Sequence, residues 1–336
     1  MAPPFFVSPD GDGSPMNGRS HRDRSTRVTI FGGLALLCGA SGMALGLLQL
    51  ALPLIVPPSA DAPGVDPAAT VMGMLTWTEL GVVLAIVGVG ALRGRRWARP
   101  VMLVLAWTWL IAGAVAAAWT WWSAADLVVL ATAAMDPPPP DSVMSLVALG
   151  LVGTTLVGGV LVPAAFVWAF RDEDVRLTLE RRDPHRRWTD GRPLPLVGMA
   201  IALGLAALVL VPSALRPVMP AFGALLTGGV GAVATVAGSA TCATLAAGVY
   251  RRRRWAWWGT TLAVAGLGVS TAWTLLRQGP LPIYRALGYP DEQLRAMAGS
   301  TLARADVLVA GTVALTLLSV AYMATIRRYF TGRAGA

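Results

Sequence analysis

The sequence predicts an all-α integral membrane protein with eight transmembrane helices, and three observations support this fold class. Of the 336 residues, 55% are apolar and only 13% are charged, about half the charged fraction of a typical soluble domain. The mean hydropathy of +0.61 is correspondingly high. Eight stretches are also long and apolar enough to cross a bilayer, and their charged residues lie mostly at the ends.

Each predicted span is an apolar run of at least about 17 residues, the length a helix needs to cross about 30 Å of hydrocarbon. The runs lack the alternating polarity of barrel strands, so helices are the only interpretation. Pro163 interrupts the fourth run and is expected to kink that helix. The predicted spans are residues 28–56, 69–92, 101–123, 143–170, 196–215, 221–250, 255–276 and 305–326.

The spans divide the chain into two halves of four helices, residues 28–170 and 196–326. A connector, residues 171–195, joins the halves and carries many charged side chains. The leader, residues 1–27, is rich in proline, glycine, serine and aspartate and is expected to be disordered. Residues 327–336 form a short tail.

The placement of the arginines predicts the orientation. All 27 basic residues are arginines, and 22 of them lie on the side of the membrane that also holds both termini. Because bacterial membrane proteins retain basic loops in the cytoplasm, we expect both termini to be cytoplasmic, in a bacterial plasma (inner) membrane. The clusters are residues 19–27, 93–99, 171–192, 251–254 and 327–333.

The net charge of +9 does not indicate a nucleic-acid-binding protein. Such a protein would carry its basic residues along one soluble face, whereas these arginines form short clusters between apolar runs. At the ends of membrane helices, the clusters instead predict contacts with the bilayer and its anionic lipid headgroups. Nucleic acid is therefore excluded as a predicted partner.

A short string suggests an internal repeat. Arg-Arg-Trp-Ala at residues 95–98 recurs at residues 253–256, which is 158 positions later. Because each half has four spans, the halves would share one orientation and form a parallel 4+4 pseudo-repeat, an arrangement in which transporters bind substrate between the repeats. The alternative is that the string is a generic stop signal at the inner leaflet that arose twice.

Glu79 is the one ionisable residue well inside a predicted span. A charge at the bilayer centre costs at least about 2.5 to 3.5 kcal/mol, so the side chain should be protonated, hydrogen-bonded or in contact with water. One interpretation is a proton or cation coupling site. The other is a neutral side chain whose single hydrogen bond links two helices.

The connector is the most individual segment of the chain. Residues 172–182 are expected to form a short helix, because Asp183 precedes Pro184 and a residue before proline leaves the α region. The segment is predicted either to lie against lipid headgroups or to dock a protein partner. The candidate contact residues are Arg176, Arg182, Arg187, Trp188 and Asp190.

This connector resembles a loop of uncharacterised bacterial multi-pass membrane proteins. In that group the positions after Thr178 and before Pro193 are often cysteines, whereas this chain has Leu179 and Arg192. The resemblance implies the multi-span architecture and no particular activity. It is carried by Asp174, Val175, Arg176, Thr178, Glu180, Arg182, Asp183, Pro184, Arg187, Trp188, Thr189, Asp190, Pro193, Leu194 and Pro195.

No catalytic motif is evident. The two histidines are isolated, and the sequence shows no zinc-ligand spacing, phosphate-binding loop or dinucleotide fingerprint, so neither a metal nor a cofactor is predicted. We therefore expect a non-enzymatic membrane component that acts through protein partners. The alternative function is a small-molecule or ion transporter with Glu79 as its coupling residue. An intramembrane enzyme is the weakest hypothesis, because one acid without a nucleophile gives no mechanism.

Overall fold

The structure is a computed structural model that describes residues 23–55, 66–132 and 140–331. Within these ranges eight helical segments are long and apolar enough to cross a membrane, the number predicted from the sequence. They are α1, α2, α3, the continuous unit of α4 and α5, α7, α8, α9 and α12.

The helices, in chain order, are α1 (Ser25–Ile55), α2 (Pro67–Leu92), α3 (Ala98–Thr132), α4 (Asp141–Leu156), α5 (Val162–Arg171), α6 (Glu173–Arg182), α7 (Leu194–Ser213), α8 (Gly228–Tyr250), α9 (Arg254–Gln278), α10 (Leu281–Ala286), α11 (Asp291–Met297) and α12 (Ala305–Ile326). A π-helical turn, Val157–Leu161, joins α4 to α5. Two strands, β1 (Met219–Ala221) and β2 (Ala224–Leu226), form an antiparallel hairpin before α8.

Several boundaries differ from the predicted ones. Helix α1 begins at Ser25, three residues before the predicted span, and α3 continues to Thr132, well beyond residue 123. Residues 1–22 of the predicted disordered leader and residues 332–336 of the tail lie outside the described residues.

The predicted start of the sixth span at residue 221 is wrong, because the hairpin occupies residues 219–226. Its turn places Phe222 and Gly223 at positive φ, a conformation that is strained for phenylalanine. Side chains of α9 hold this turn, since the Ser270 and Thr274 hydroxyls accept hydrogen bonds from the two turn amides at 2.9 and 3.0 Å. Apolar composition alone did not distinguish these strands from a helix.

Helices α1 and α2 pack with their backbones in contact. A Cβ atom on Gly39 would lie 2.6 Å from the Gly81 carbonyl oxygen and 2.7 Å from the Ala85 amide nitrogen. Without side chains between them, the two helices gain dispersion contacts that lipid could not match. This pairing makes α1 and α2 a single packed unit of the first half.

The π turn resolves the conflict created by Pro163. Proline cannot donate to the carbonyl four residues earlier, which belongs to Gly159, and its ring would clash with that carbonyl in an α-helix. The wider π turn shifts the hydrogen bonding, so the Val162 amide donates to Val157, five residues earlier. Gly159 packs against Gly113 of α3 in the same region.

Contacts gather all the described arginine clusters at one end of the bundle. We call this the arginine-rich end and define it as residues 23–27, 93–99, 171–195, 251–254 and 327–330. Each cluster forms a hydrogen bond with a segment that is distant in sequence. The clustering is therefore observed in the structure and is not only implied by counting spans. The bonds are Arg27 to Asp172, Arg99 to the Phe170 carbonyl, Arg252 to the Gly191 carbonyl and Arg254 to the Phe330 carbonyl.

The opposite end is also held together by contacts across the chain. Asp66, which caps the start of α2, pairs with Arg216 after α7. Asp126 of α3 accepts hydrogen bonds from the Thr301 amide at 2.8 Å and hydroxyl at 2.6 Å. Helices α2, α3, α7 and α12 therefore run between the arginine-rich end and this opposite end.

Two turns at the arginine-rich end have the same geometry. After α2 the Arg95 amide donates to the Gly90 carbonyl, and after α8 the Arg253 amide donates to the Gly248 carbonyl, both at 2.9 Å. The following tryptophan packs on that glycine in both turns. The equivalent residues with positive φ are Gly94 (65°) and Arg252 (55°).

Candidate functional site

The connector is a folded part of the bundle. The short helix predicted over residues 172–182 is confirmed, since α6 covers residues 173–182. The Asp172 side chain caps α6 by accepting a hydrogen bond from the Asp174 amide. Asp172 also accepts a hydrogen bond from Arg27 at 2.9 Å, and the Thr178 hydroxyl accepts from the Arg24 amide at 3.2 Å. The start of α1 and α6 thus fix one another.

A carboxylate–guanidinium fork closes the end of α6. Asp183 is only 4% exposed and accepts from both Nε and Nη2 of Arg187, each at 3.0 Å. These bonds to Arg187 hold the pKa of the Asp183 carboxyl below its ordinary value, although burial acts in the opposite direction. Such a bidentate pair fixes geometry as well as charge, so Arg187 has a structural partner within the connector.

Arg96 links the turn after α2 to two parts of the connector. Its side chain is 16% exposed, and its Nε lies 3.0 Å from Asp190 while Nη2 lies 3.4 Å from Glu180. The contact with Asp190 is an ion pair without a directed hydrogen bond. Asp190 in turn accepts a short hydrogen bond, 2.6 Å, from the Arg187 amide.

These contacts border a half-open cavity of about 350 Å³, where the connector meets the starts of α3 and α7. Four arginines and two carboxylates line it, so the wall carries an excess of two positive charges. Apolar side chains at the starts of α3 and α7 complete the wall. The charged lining residues are Arg96, Arg99, Arg176, Arg192, Glu180 and Asp190.

Thr189 also lines this cavity. The residue is 4% exposed, and its hydroxyl has no hydrogen-bond partner among the residues that the structure describes. Burying a hydroxyl without a partner costs about 1 to 3 kcal/mol. The unpaired group marks the cavity as a place where a bound polar molecule would recover that energy.

An aromatic and cationic group flanks the cavity. The Trp188 and Tyr250 rings meet edge to face at 6.0 Å, and the Tyr250 hydroxyl donates to the Trp188 carbonyl at 3.0 Å. The Arg192 guanidinium lies 5.2 Å from the centre of the Tyr250 ring. Trp188 is nevertheless 47% exposed, so one side of this group remains open.

The structure separates the candidate contact residues predicted from the sequence. Arg176 and Asp190 line the cavity, whereas Arg187 bonds to Asp183 inside the connector. The alkyl chain of Arg182 lies against the turn at Gly94. Two of the five candidates therefore line the cavity, and the other three lie outside its lining.

Glu79 lies in the middle of α2 and is not among the residues that line the cavity. Its Oε2 atom is buried and has no hydrogen-bond partner in the described part of the chain. The interpretation that it donates a hydrogen bond between helices finds no partner among those residues.

Sequence reasoning missed the contribution of residues 93–99 and of Thr189 to the site. The arginines after α2 were interpreted only as topogenic charges, yet Arg96 and Arg99 form one wall of the cavity. No local signal distinguishes these two roles, because the cavity exists only once the connector folds back onto that turn. The acidic residues Glu180 and Asp190 in the connector were the one sequence feature that indicated ion pairs with these arginines.

The described residues contain no group of three or more histidine, cysteine, aspartate or glutamate side chains that could hold a metal ion. Comparison of the chain with protein families, with curated proteins and with solved structures found no match. Within the residues that the structure describes, the fold is a bundle of eight long apolar helices, and the connector folds over one end of it.

Proposed function

We propose that the chain is a multi-pass component of a bacterial plasma membrane, with the arginine-rich end and both termini in the cytoplasm. The clustering of the described arginines at one end supports this orientation, because basic residues are retained on the cytoplasmic side. The eight apolar helices support the membrane location. An even number of spans places both termini on the same side.

The two halves are proposed to form a parallel 4+4 repeat. The matching turns after α2 and α8 support it, as does a pair of similar hydrogen bonds whose donors are 158 residues apart, although their acceptors are 153 residues apart. Arg99 donates to the Phe170 carbonyl at 3.0 Å, and Trp257 donates to the Met323 carbonyl at 2.8 Å. Both bonds link the start of a half's third span to the end of its fourth.

Within that membrane the protein is a non-enzymatic component that acts through a protein partner docked at its cytoplasmic end. The observation that carries this proposal is the folded connector, which holds exposed charged and aromatic side chains on a fixed base. Trp188 is half exposed although its backbone is bonded to Tyr250. Such rigid aromatic anchors are typical of interface hot spots.

Photo-crosslinking in cells tests the partner role. A photo-reactive phenylalanine analogue replaces Trp188, and in a matched chain it replaces Phe222, an exposed aromatic residue at the opposite end. The proposal predicts a discrete protein adduct from position 188 that position 222 does not give. Adducts with lipid alone at position 188 would contradict it.

Glu79 favours a second candidate function, a small-molecule or ion transporter with this carboxyl as its coupling group. The buried Oε2 atom without a partner in the described residues supports it, since ionisable groups within membrane spans commonly serve transport. The 4+4 arrangement would supply a substrate path between the halves.

Proton flux into reconstituted vesicles distinguishes this candidate. A transporter that couples through Glu79 should acidify the vesicle lumen in a pH-dependent way, and Glu79→Gln should reduce that flux to the level of empty vesicles. Glu292→Gln, the same change at an exposed position of α11, should leave it unaltered. Equal proton flux from wild type and Glu79→Gln would contradict a proton-coupling role for Glu79.

A further inference from the structure

We propose that the arginine-lined cavity binds a phosphate-bearing anion. The site is the half-open cavity of about 350 Å³ beside the connector, and its volume falls at the small end of the range of about 300 to 1,000 Å³ that is usual for ligand sites. The inference concerns a ligand and does not depend on the partner role or on transport.

The charge of the cavity selects an anion. Its wall carries four arginines against two carboxylates. Arg192 has no ion pair among the described residues, and its guanidinium is positioned over the Tyr250 ring. Since each guanidinium offers five N–H donors, the arginines that pair with Glu180 and Asp190 also retain donors for a ligand.

The Thr189 hydroxyl is the second, independent observation. It is buried in the wall, and it has no partner in the described part of the chain. A buried hydroxyl is normally hydrogen-bonded, so an unpaired one beside a cationic cavity indicates an acceptor supplied from outside the chain. A phosphate oxygen accepts from both a hydroxyl and a guanidinium.

The number of donors favours phosphate over a carboxylate. One guanidinium fork satisfies both oxygens of a carboxylate, whereas a phosphate group offers three or four oxygens to several donors at once. The cavity presents several forks and a hydroxyl from separate elements. Leu194 and Val197 of α7 give it an apolar wall that suits the carbon portion of a phosphate ester.

Two sources could supply this group. The cavity lies where α3 and α7 begin and α5 ends, which is the level of lipid headgroup phosphates if those helices cross the bilayer. A soluble phosphate ester could equally enter from the cytoplasm. The cavity would recognise the same phosphate group in both cases. The experiment therefore tests each source with its own probe.

Binding is measured on the full chain purified in a non-phosphate detergent. Radiolabelled inorganic phosphate in equilibrium dialysis reports the soluble source. Retention of phosphatidylglycerol in native mass spectrometry, compared with diacylglycerol, reports the lipid source. Thr189→Val and Arg192→Gln should each weaken binding of the effective probe about tenfold, as expected for a lost hydrogen bond to a charged group.

Matched variants separate binding from folding. Thr260→Val makes the same change at a buried threonine remote from the cavity, and Arg186→Gln removes an exposed arginine of the same connector. Both should retain wild-type binding. Thr189→Val breaks no hydrogen bond in the described residues, so it should melt no lower than wild type.

If wild type binds inorganic phosphate and both cavity variants weaken that binding, the proposal is supported and the ligand is a soluble phosphate. Retention of phosphatidylglycerol but not diacylglycerol, weakened by the same variants, supports it with a lipid ligand. Failure of both probes to bind, or equal binding by wild type and both cavity variants, would overturn it. None of these outcomes alters the crosslinking result at Trp188, so the partner role is tested separately.

Discussion

Gly39→Leu is expected to lower the free energy of unfolding by about 3 kcal/mol, the upper end of the range for overpacking a well-packed interface. The side chain would have to enter where a Cβ atom already lies 2.6 Å from the Gly81 carbonyl oxygen. Backbone atoms of α2 cannot rotate away as a side chain can, so α1 and α2 must separate. Reversible unfolding in mixed detergent and SDS micelles measures the change.

Gly33→Leu is the matched control on the same helix. A Cβ atom at Gly33 would meet nothing within 4 Å among the described residues, so the leucine would face lipid. We expect its unfolding free energy to equal that of wild type within experimental error. Equal loss from both variants would show that glycine conformation, and not close helix contact, explains the effect.

Arg96→Gln is expected to lower the free energy of unfolding by about 2 kcal/mol, less than for a fully buried pair because solvent screens part of the interaction. In the wild type the Arg96 guanidinium lies 3.0 Å from the Asp190 carboxylate and 3.4 Å from the Glu180 carboxylate. The change removes this shared cation and leaves the two carboxylates close together. The connector should then detach from the turn after α2. Unfolding free energy and protease cleavage within residues 184–193 both report this.

Arg93→Gln provides the control, because Arg93 is exposed in the same turn and has no ion pair within the described residues. It should show wild-type stability and cleavage. Arg96→Lys should lie between the two, since lysine keeps the charge but cannot contact two carboxylates with one planar fork. Stability unchanged by Arg96→Gln would mean that the connector is held by other contacts.

The long helices could be predicted because the bilayer imposes a simple rule on composition and length. Runs such as residues 305–326 carry no competing signal, and α12 has those same bounds. Helix α6 was also predictable, because the Asp183-Pro184 pair ends it. In each case a local property of the chain decides the structure.

The hairpin and the cavity could not be predicted in this way. The residues of β1 and β2 are as apolar as a span, and the strained turn at Phe222 is held by hydrogen bonds from its two amides to the Ser270 and Thr274 hydroxyls of α9. The cavity depends on the contact of Arg96 with Asp190, which are separated by a whole pair of spans. Both features arise from tertiary contacts that leave no periodic pattern in sequence.

The most direct test of the central claim is cysteine labelling of intact cells. In a chain with Cys38 and Cys242 replaced by alanine, Arg186→Cys reports the arginine-rich end and Glu292→Cys reports the opposite end; both positions are exposed. A membrane-impermeant maleimide that reaches the periplasm should label Glu292→Cys in intact cells and Arg186→Cys only after the inner membrane is permeabilised. Labelling of Arg186→Cys in intact cells would contradict the proposed orientation.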